Sequence, residues 1–428
     1  MERNQIAWVA FAILFAVAAG VLIYFDWKLS TAVMGDYLAT PMMAGATELE
    51  AISFNKNMDV WFMLMMVAFL MIFIIPKFKE IFDDLLEGQE LPGLTKFVMA
   101  CSDAVRTFEW GTALAVLLSA AGSFIVYLFI QQFYFGYEVW DQMLMIRAVI
   151  CSITIVIGIG VFLGLCKMWQ YLLVGMLFAP AYALIEYFLA NDFFGLWATD
   201  PGGSMLVHMC AAYFGIGVAI ALREKRSWQE PMHTTTHSVT FVWLGSMILW
   251  VLWPSFVTSL LNPGDSTWGM ITCYMAGIGS VISAYLVCVI CQKKVNPLIY
   301  TYAMLAGPVA IGAPLLSVGP WGALFIGIVA GALSALCFIY LNPWFCKKIG
   351  VVDMMGVHNL HGMAGWLGAL SVCVITLSID NLVFAVIVFA IAVGTGAIVG
   401  LVVRLTRGSM EVLADDNTDF SRNEAPPS

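Results

Sequence analysis

The stretch Asp200-Pro-Gly-Gly-Ser-Met-Leu-Val-His208, followed by Tyr213 and Gly215, has a partner further along the chain. It is Asp353-Met-Met-Gly-Val-His-Asn-Leu-His361, followed by Trp366 and Gly368, and the two histidines stand 153 positions apart. Both stretches read D-x2-G-x4-H-x4-aromatic-x-G, and five positions matched at identical spacing mark an internal repeat. The Asp200-Pro201 pair has the form of a helix N-cap followed by the first helical residue, and Asp353 stands in the same relation to the second stretch. Eight residues on, each histidine lies roughly 12 Å along its helix at about 1.5 Å per residue.

The surrounding composition says what solvent this repeat folds in. Hydrophobic residues are 61% of the 428, charged residues are 11%, and the mean hydropathy is +0.90. A soluble domain carries roughly 25% charge, so the expected class is all-α and polytopic, with apolar runs of spanning length and no alternating barrel segments. Twelve spans are expected, near 6–25, 58–76, 110–133, 142–164, 169–190 and 204–222, then 239–260, 268–290, 296–314, 319–341, 355–376 and 382–405. The run to Phe25 is long enough to read the first as a retained helix rather than a cleaved signal. Residues 1–407 are read as one transmembrane channel domain. Within it, 77–108 forms an amphipathic cytoplasmic segment, and 408–428 is a short cytoplasmic tail.

With the amino terminus inside, sixteen Lys and Arg residues fall in inner segments, against Lys28 and Lys56 outside. The positive-inside rule then places both termini in the cytoplasm, of a plasma or bacterial inner membrane. The net charge of −9 comes with no basic patch, so no nucleic-acid partner is implied. The ten cysteines sit mostly in apolar runs, where they pack as small hydrophobes.

On this count His208 enters from outside on the sixth span and His361 from inside on the eleventh. That is a five-plus-five inverted repeat, a plan that places a substrate path at the repeat interface. A lone buried histidine is as readily a helix-to-helix hydrogen bond. Two, converging on one depth from opposite faces, favour a conduction path. Neutral imidazoles favour a neutral permeant such as ammonia over a dehydrated cation. No carboxylate lies beside either histidine to build a metal site, and no nucleophile–base set suggests an enzyme. His358 precedes His361 by three residues, which puts both on one helix face.

These residues also carry a resemblance. Asp200 to Gly215, Gly356-Val-His-Asn-Leu-His361-Gly, Leu252-Trp-Pro-Ser-Phe256, Leu305-Ala-Gly307 and Trp321-Gly-Ala-Leu-Phe-Ile-Gly327 resemble the Rhesus (Rh) glycoproteins, in the same order and over roughly 58–407. The likeness is closer to the Rh proteins than to bacterial Amt or yeast ammonium permeases. It implies a homotrimer with a pore in each protomer, His208 and His361 as twin pore histidines, and Asp200 and Asp353 as paired structural aspartates. It also implies Glu186 as the acidic residue of an outer vestibule and Phe256 as one of two gate phenylalanines. At the other gate position this chain has Ile150, and Tyr302 replaces a smaller polar residue. The function so implied is conduction of ammonia, with ammonium recruited and deprotonated and no cofactor. Alternatives are a channel for carbon dioxide or another small neutral gas, and a non-conducting structural or sensory protein.

Overall fold

The computed structural model describes residues 110–192, 195–224 and 236–408. The spans expected near 6–25 and 58–76, the segment 77–108 and the tail beyond Gly408 lie outside the described residues. Each of the ten spans expected from residue 110 onward has its helix or helix pair. In order they are α1 (Trp110–Phe133), α2 (Gln142–Ile159), α3 (Met168–Ala190), α4 (Ser204–Leu222), α5 (Thr236–Thr258) and α6 (Pro263–Gln292). There follow α7 (Pro297–Ala303), α8 (Ala306–Ile311), α9 (Pro320–Ile349), α10 (His358–Thr376) and α11 (Asp380–Arg407). Among the described residues eight of these helices are long and apolar enough to cross a membrane. Val242–Thr258 and Pro297–Ile311 are shorter apolar stretches. Local chemistry fixes several ends. Asp141 caps α2 through Met143 N–H (2.9 Å), and Asn296 caps α7 ahead of Pro297.

Three spans depart from the expected form, two of them through proline. The helix expected over 142–164 ends at Ile159, and residues 160–166 continue as turns. The single helix expected over 296–314 is broken at Met304–Leu305 into α7 and α8. Pro308 has no N–H to bond the Met304 carbonyl four residues back, and that carbonyl instead accepts the Ser280 hydroxyl at 2.6 Å. The helix expected to end near 341 runs on to Ile349. A wide π turn at Cys337–Leu341 precedes Pro343 and absorbs the hydrogen bond that proline cannot make.

The helices approach one another through paired glycines. Where α1 crosses α3, a methyl group on Gly122 would strike the Leu172 carbonyl, and one on Gly175 the Ser119 carbonyl. Where α6 crosses α9 the pattern recurs, Gly279 on Leu324 O and Gly327 on Ala276 O. It recurs again between α4 and α11, Gly217 on Val393 O and Gly396 on Phe214 O. In each crossing, the glycine of one helix meets the carbonyl three residues before the glycine of the other. Such contacts replace the hydrophobic drive that helices lack in lipid with close backbone packing.

The first two crossings are images of each other, so α1 and α3 correspond to α6 and α9. The histidine helices complete the relation. Ser204 lies against Gly368, Met209 against Gly365 and Tyr213 against Gly362, so α4 and α10 run antiparallel. The described part of the chain is thus a five-plus-five inverted repeat lacking its first helix, with α11 following it.

A valine in place of Gly327 drives a branched side chain into the Ala276 backbone. The expected loss is about 1–3 kcal/mol or more, the range for overpacking a tight site, read as a fall in the thermal midpoint of detergent-solubilised protein. Gly245→Ala, at a helix position with open space around the added methyl, is expected to hold or slightly raise the midpoint.

Candidate pore and its histidine pair

Helices α4 and α10 both begin inside the protein, and their first N–H groups need partners there. Asp200 Oδ2 accepts from Met205 N–H (2.8 Å) and Leu206 N–H (2.7 Å). Asp353 accepts from Val357 N–H (3.0 Å) and His358 N–H (2.8 Å). Neither aspartate is the residue next to the helix, as its sequence position suggested. A turn intervenes in each case, closed by Gly203 at φ 81° and Gly356 at φ 68°. That left-handed conformation is open to glycine at little cost and swings each carboxylate back over the helix end. Both helices then open with a π turn, Ser204–Met209 and His358–Gly362, in which Cys210 N–H bonds Met205 O and Met363 N–H bonds His358 O.

The turns are pinned by the ends of the opposite repeat. Gly202 N–H donates to Gly312 O (2.8 Å), just past α8, and Met355 N–H donates to Gly160 O (3.1 Å), just past α2. Ser204 adds a bridge, its hydroxyl donating to Val309 O (2.6 Å) and accepting from Ala313 N–H (2.8 Å). The closing glycines of the motif serve the same packing, Gly215 against Gly158 O and Gly368 against Ala310 O.

This frame brings the histidines together. Nδ1 of His208 lies 3.1 Å from Nδ1 of His361, and the rings stack with centroids 5.0 Å apart and planes inclined by 21°. One Nδ1 must carry the hydrogen and the other accept it. The first ring then presents a bare Nε2 and the second an Nε2–H. Two imidazolium rings would aim N–H at N–H, so the pair holds at most one extra proton. His208 is buried and its Nε2 has no hydrogen-bond partner within the protein, while His361 is partly open. The other matched positions also meet, Trp366 Nε1–H donating to the Tyr213 hydroxyl at 2.7 Å. A second pair of repeat-related side chains thereby ties α4 to α10.

On the Asp200 side of the pair is a hollow of about 40 Å³, lined by Ile150, Tyr182, Leu206, Val207 and Phe256 with Asp200 and Gly203. At roughly 10–15 Å³ per molecule it has room for about three waters or ammonia molecules. Phe256 reaches His208 edge-on at 6.5 Å. Trp253 lies flatter against the same ring, 5.5 Å away at 29°. Sequence reasoning passed over Trp253, although it stands three residues before Phe256. Beyond the hollow, one turn after Tyr182, Glu186 accepts from the Tyr127 hydroxyl (2.5 Å) and Gln131 Nε2 (3.4 Å) and feels the charge of Arg147. Tyr127 was likewise missed, since nothing local links residues 59 apart.

A family model described as the Ammonium Transporter Family matches residues 60–414. The chain is 30% identical to Rh50 of Nitrosomonas europaea, a Rhesus-family channel. That likeness covers 77% of this chain and 86% of that one, with a TM-score of 0.69. The chain belongs to the Rh branch of the ammonium transporter family. Curated Rh relatives include the cattle Ammonium transporter Rh type A, 35% identical over 246 residues (55% of this chain, 56% of the relative). The zebrafish Ammonium transporter Rh type B is 33% identical over 240 residues (53% and 50%). The chain thus spans about half the length of the curated relatives it matches. A sensor Amt protein at 17% identity shares the fold, with a TM-score of 0.60. The all-α, multi-pass membrane architecture of about twelve helices is that of this family, whose members are transporters and channels.

Replacing Asp353 by alanine removes the acceptor for two buried N–H groups. The expected cost is about 2–4 kcal/mol, taking each orphaned donor at roughly 1–3 kcal/mol with some overlap. Asp353→Asn keeps one acceptor oxygen and is expected to fall between wild type and alanine in thermal midpoint.

Proposed function

We propose that this Rh-family protein conducts ammonia along a path that runs past Glu186, through the hollow between Ile150 and Phe256, and past His208 and His361. The observation that carries this reading is the imidazole pair joined Nδ1 to Nδ1 at 3.1 Å, with a free Nε2 on the buried His208. The Asp200 carboxylate that reaches the hollow is engaged in capping α4, and neutral imidazole offers a hydrogen-bonding surface to a neutral guest. Ammonium gathers near Glu186 at the outer mouth and gives up a proton on the way in. The N–H bond that breaks leaves ammonia to pass, and the proton goes to an imidazole nitrogen or to water at the mouth. Asp200 and Asp353 are structural in this reading, holding the two helix ends. The protein works as a homotrimer with one pore in each protomer, in a plasma or bacterial inner membrane, with both termini in the cytoplasm.

A second reading, conduction of carbon dioxide or another small neutral gas, is favoured by the aliphatic Ile150 in the hollow. With one gate aromatic instead of two, cation–π attraction for ammonium is weaker.

Proteoliposomes in a stopped-flow instrument separate the two. Under an ammonia gradient the wild type is expected to shift internal pH at least tenfold faster than empty vesicles. His208→Ala breaks the pair, leaves a polar atom of His361 unpartnered and cuts that rate severalfold or more. Vesicles no faster than empty ones under ammonia, yet faster under carbon dioxide, would establish the gas reading instead.

A further inference from the structure

The inverted repeat maps each side of the histidine pair onto the other. The offset is 153 between α4 and α10, set by the histidines. It is 152 between α3 and α9, set by Gly175 and Gly327 at equivalent crossings. Three residues that line or adjoin the hollow on the Asp200 side therefore have images on the Asp353 side. Leu206 maps to Asn359, Tyr182 to Ser334 and Met205 to His358.

The images differ in chemistry from their originals. Asn359 is fully buried, and neither its amide oxygen nor its nitrogen has a hydrogen-bond partner within the protein. The Ser334 hydroxyl, 1% exposed, is likewise unpartnered, as is Nδ1 of His358, 6% exposed. The His358 ring is held between Phe345 (centroids 4.3 Å, planes 15° apart) and the edge of Tyr213 at 5.7 Å. Its Nδ1 and the Tyr213 hydroxyl both face the bare Cα of Gly362. The turn carrying His358 and Asn359 packs on α8, α9 and the π turn at Cys337–Leu341. Buried polar groups are nearly always hydrogen-bonded. The Asp200 side has unpartnered atoms of its own, Asp200 Oδ1 and Trp253 Nε1; what distinguishes the Asp353 side is that its four such atoms stand at positions imaging apolar or aromatic residues, and together they suit a small hydrogen-bonding guest.

We propose that Asn359 and Ser334, with His358, form a second station on the Asp353 side of the histidine pair that holds ammonia as it leaves His361. Asn359 offers a donor NH2 group and an acceptor oxygen side by side, and the Ser334 hydroxyl is either. That set suits a small neutral molecule with both kinds of site, which ammonia and water are and carbon dioxide is not. The proposal rests on the ammonia-channel reading.

The test uses the full chain in proteoliposomes, with ammonia-driven pH change and osmotic water flux measured side by side. Rates are normalised to folded protein counted by size-exclusion of the re-extracted sample. Asn359→Leu, which installs the residue of the other half, is expected to slow ammonia at least tenfold. Asn359→Ser, which keeps a hydrogen-bonding group, is expected to stay within about threefold of wild type. Ser334→Ala removes one small group without altering backbone packing and is expected to slow ammonia about threefold. It keeps the proposal testable if Asn359→Leu does not fold. Both variants within twofold of wild type, or Ser334→Ala alone within twofold where Asn359→Leu is lost, would overturn the station while leaving a conducting wild type intact. Slowed water with unchanged ammonia would also overturn it, assigning the site to structural water. A silent wild type overturns the channel reading, and the station with it.

Discussion

Two helices start in the interior of a membrane protein, where no water can satisfy their free N–H groups. In hydrocarbon every such group must find a partner inside the protein, and this requirement fixes much of what surrounds the histidines. It calls for a carboxylate at each helix start, hence Asp200 and Asp353. It also calls for a residue that can turn the chain back over its own helix, hence Gly203 and Gly356 at positive φ. The turns themselves expose further N–H groups, and these consume the end carbonyls of two broken spans, Gly312 O and Gly160 O. The breaks in those spans and the caps on the histidine helices are thus one arrangement. Non-helical backbone at membrane depth is tolerated where protein surrounds it, and here each irregular segment completes the bonding of the other.

Holding two imidazoles at 3.1 Å also needs a frame that does not drift. The three glycine crossings provide it, because helices in backbone contact leave no side-chain layer to reshuffle. Their reciprocity matters: each glycine faces a carbonyl on the helix that supplies the opposing glycine, so rotation of either helix breaks both contacts. The hydrogen bond between Trp366 and Tyr213 and the packing of Phe389 against Tyr213 (4.6 Å) set α4, α10 and α11 against one another on the same principle. Histidine spacing along the chain puts the rings at one depth. The crossings put them in reach.

The five-position motif made the repeat, its inversion and the convergence of His208 and His361 readable in the sequence, because each element acts at fixed spacing along one helix. The spans over 110–133 and 204–222 were readable to the residue for a similar reason, being apolar runs between polar breaks. What the sequence hid was what depends on a distant partner. Pro308 sits in a run as apolar as any span, and the break there shows only once Ser280 is seen to take the carbonyl that proline abandons. The length of α9 was concealed by the opposite error, since Pro343 reads as a stop until a π turn accommodates it. Asp200 reads as an ordinary cap beside Pro201, and nothing local announces the intervening turn. Within the site, Ile150 and Phe256 were named from resemblance, and the fold does bring both to one hollow. Trp253, Tyr127 and Ser334 carry no local signal, because their significance lies in contacts 45 and 59 residues away, or in a two-fold image that only the helix crossings calibrate.

Symmetry in this molecule belongs to the backbone, and asymmetry to the lining. Caps, turns, π turns and one glycine crossing recur in both halves. The side chains do not: Leu206 and Tyr182 line the hollow on one side, and the residues in the equivalent positions of the other half are Asn359 and Ser334. A passive path cannot use that difference to drive net flow, whose sign is set by the gradient alone. It can use it to sort guests, because the barriers at the two halves reject different things. An apolar constriction raises the energy of anything that must shed water to enter, above all an ion. A polar half lowers the energy of a guest that has hydrogen bonds to offer and does nothing for one that has none. Along the proposed path the two in series would select a small, neutral, hydrogen-bonding molecule, a narrower class than either half would pass alone.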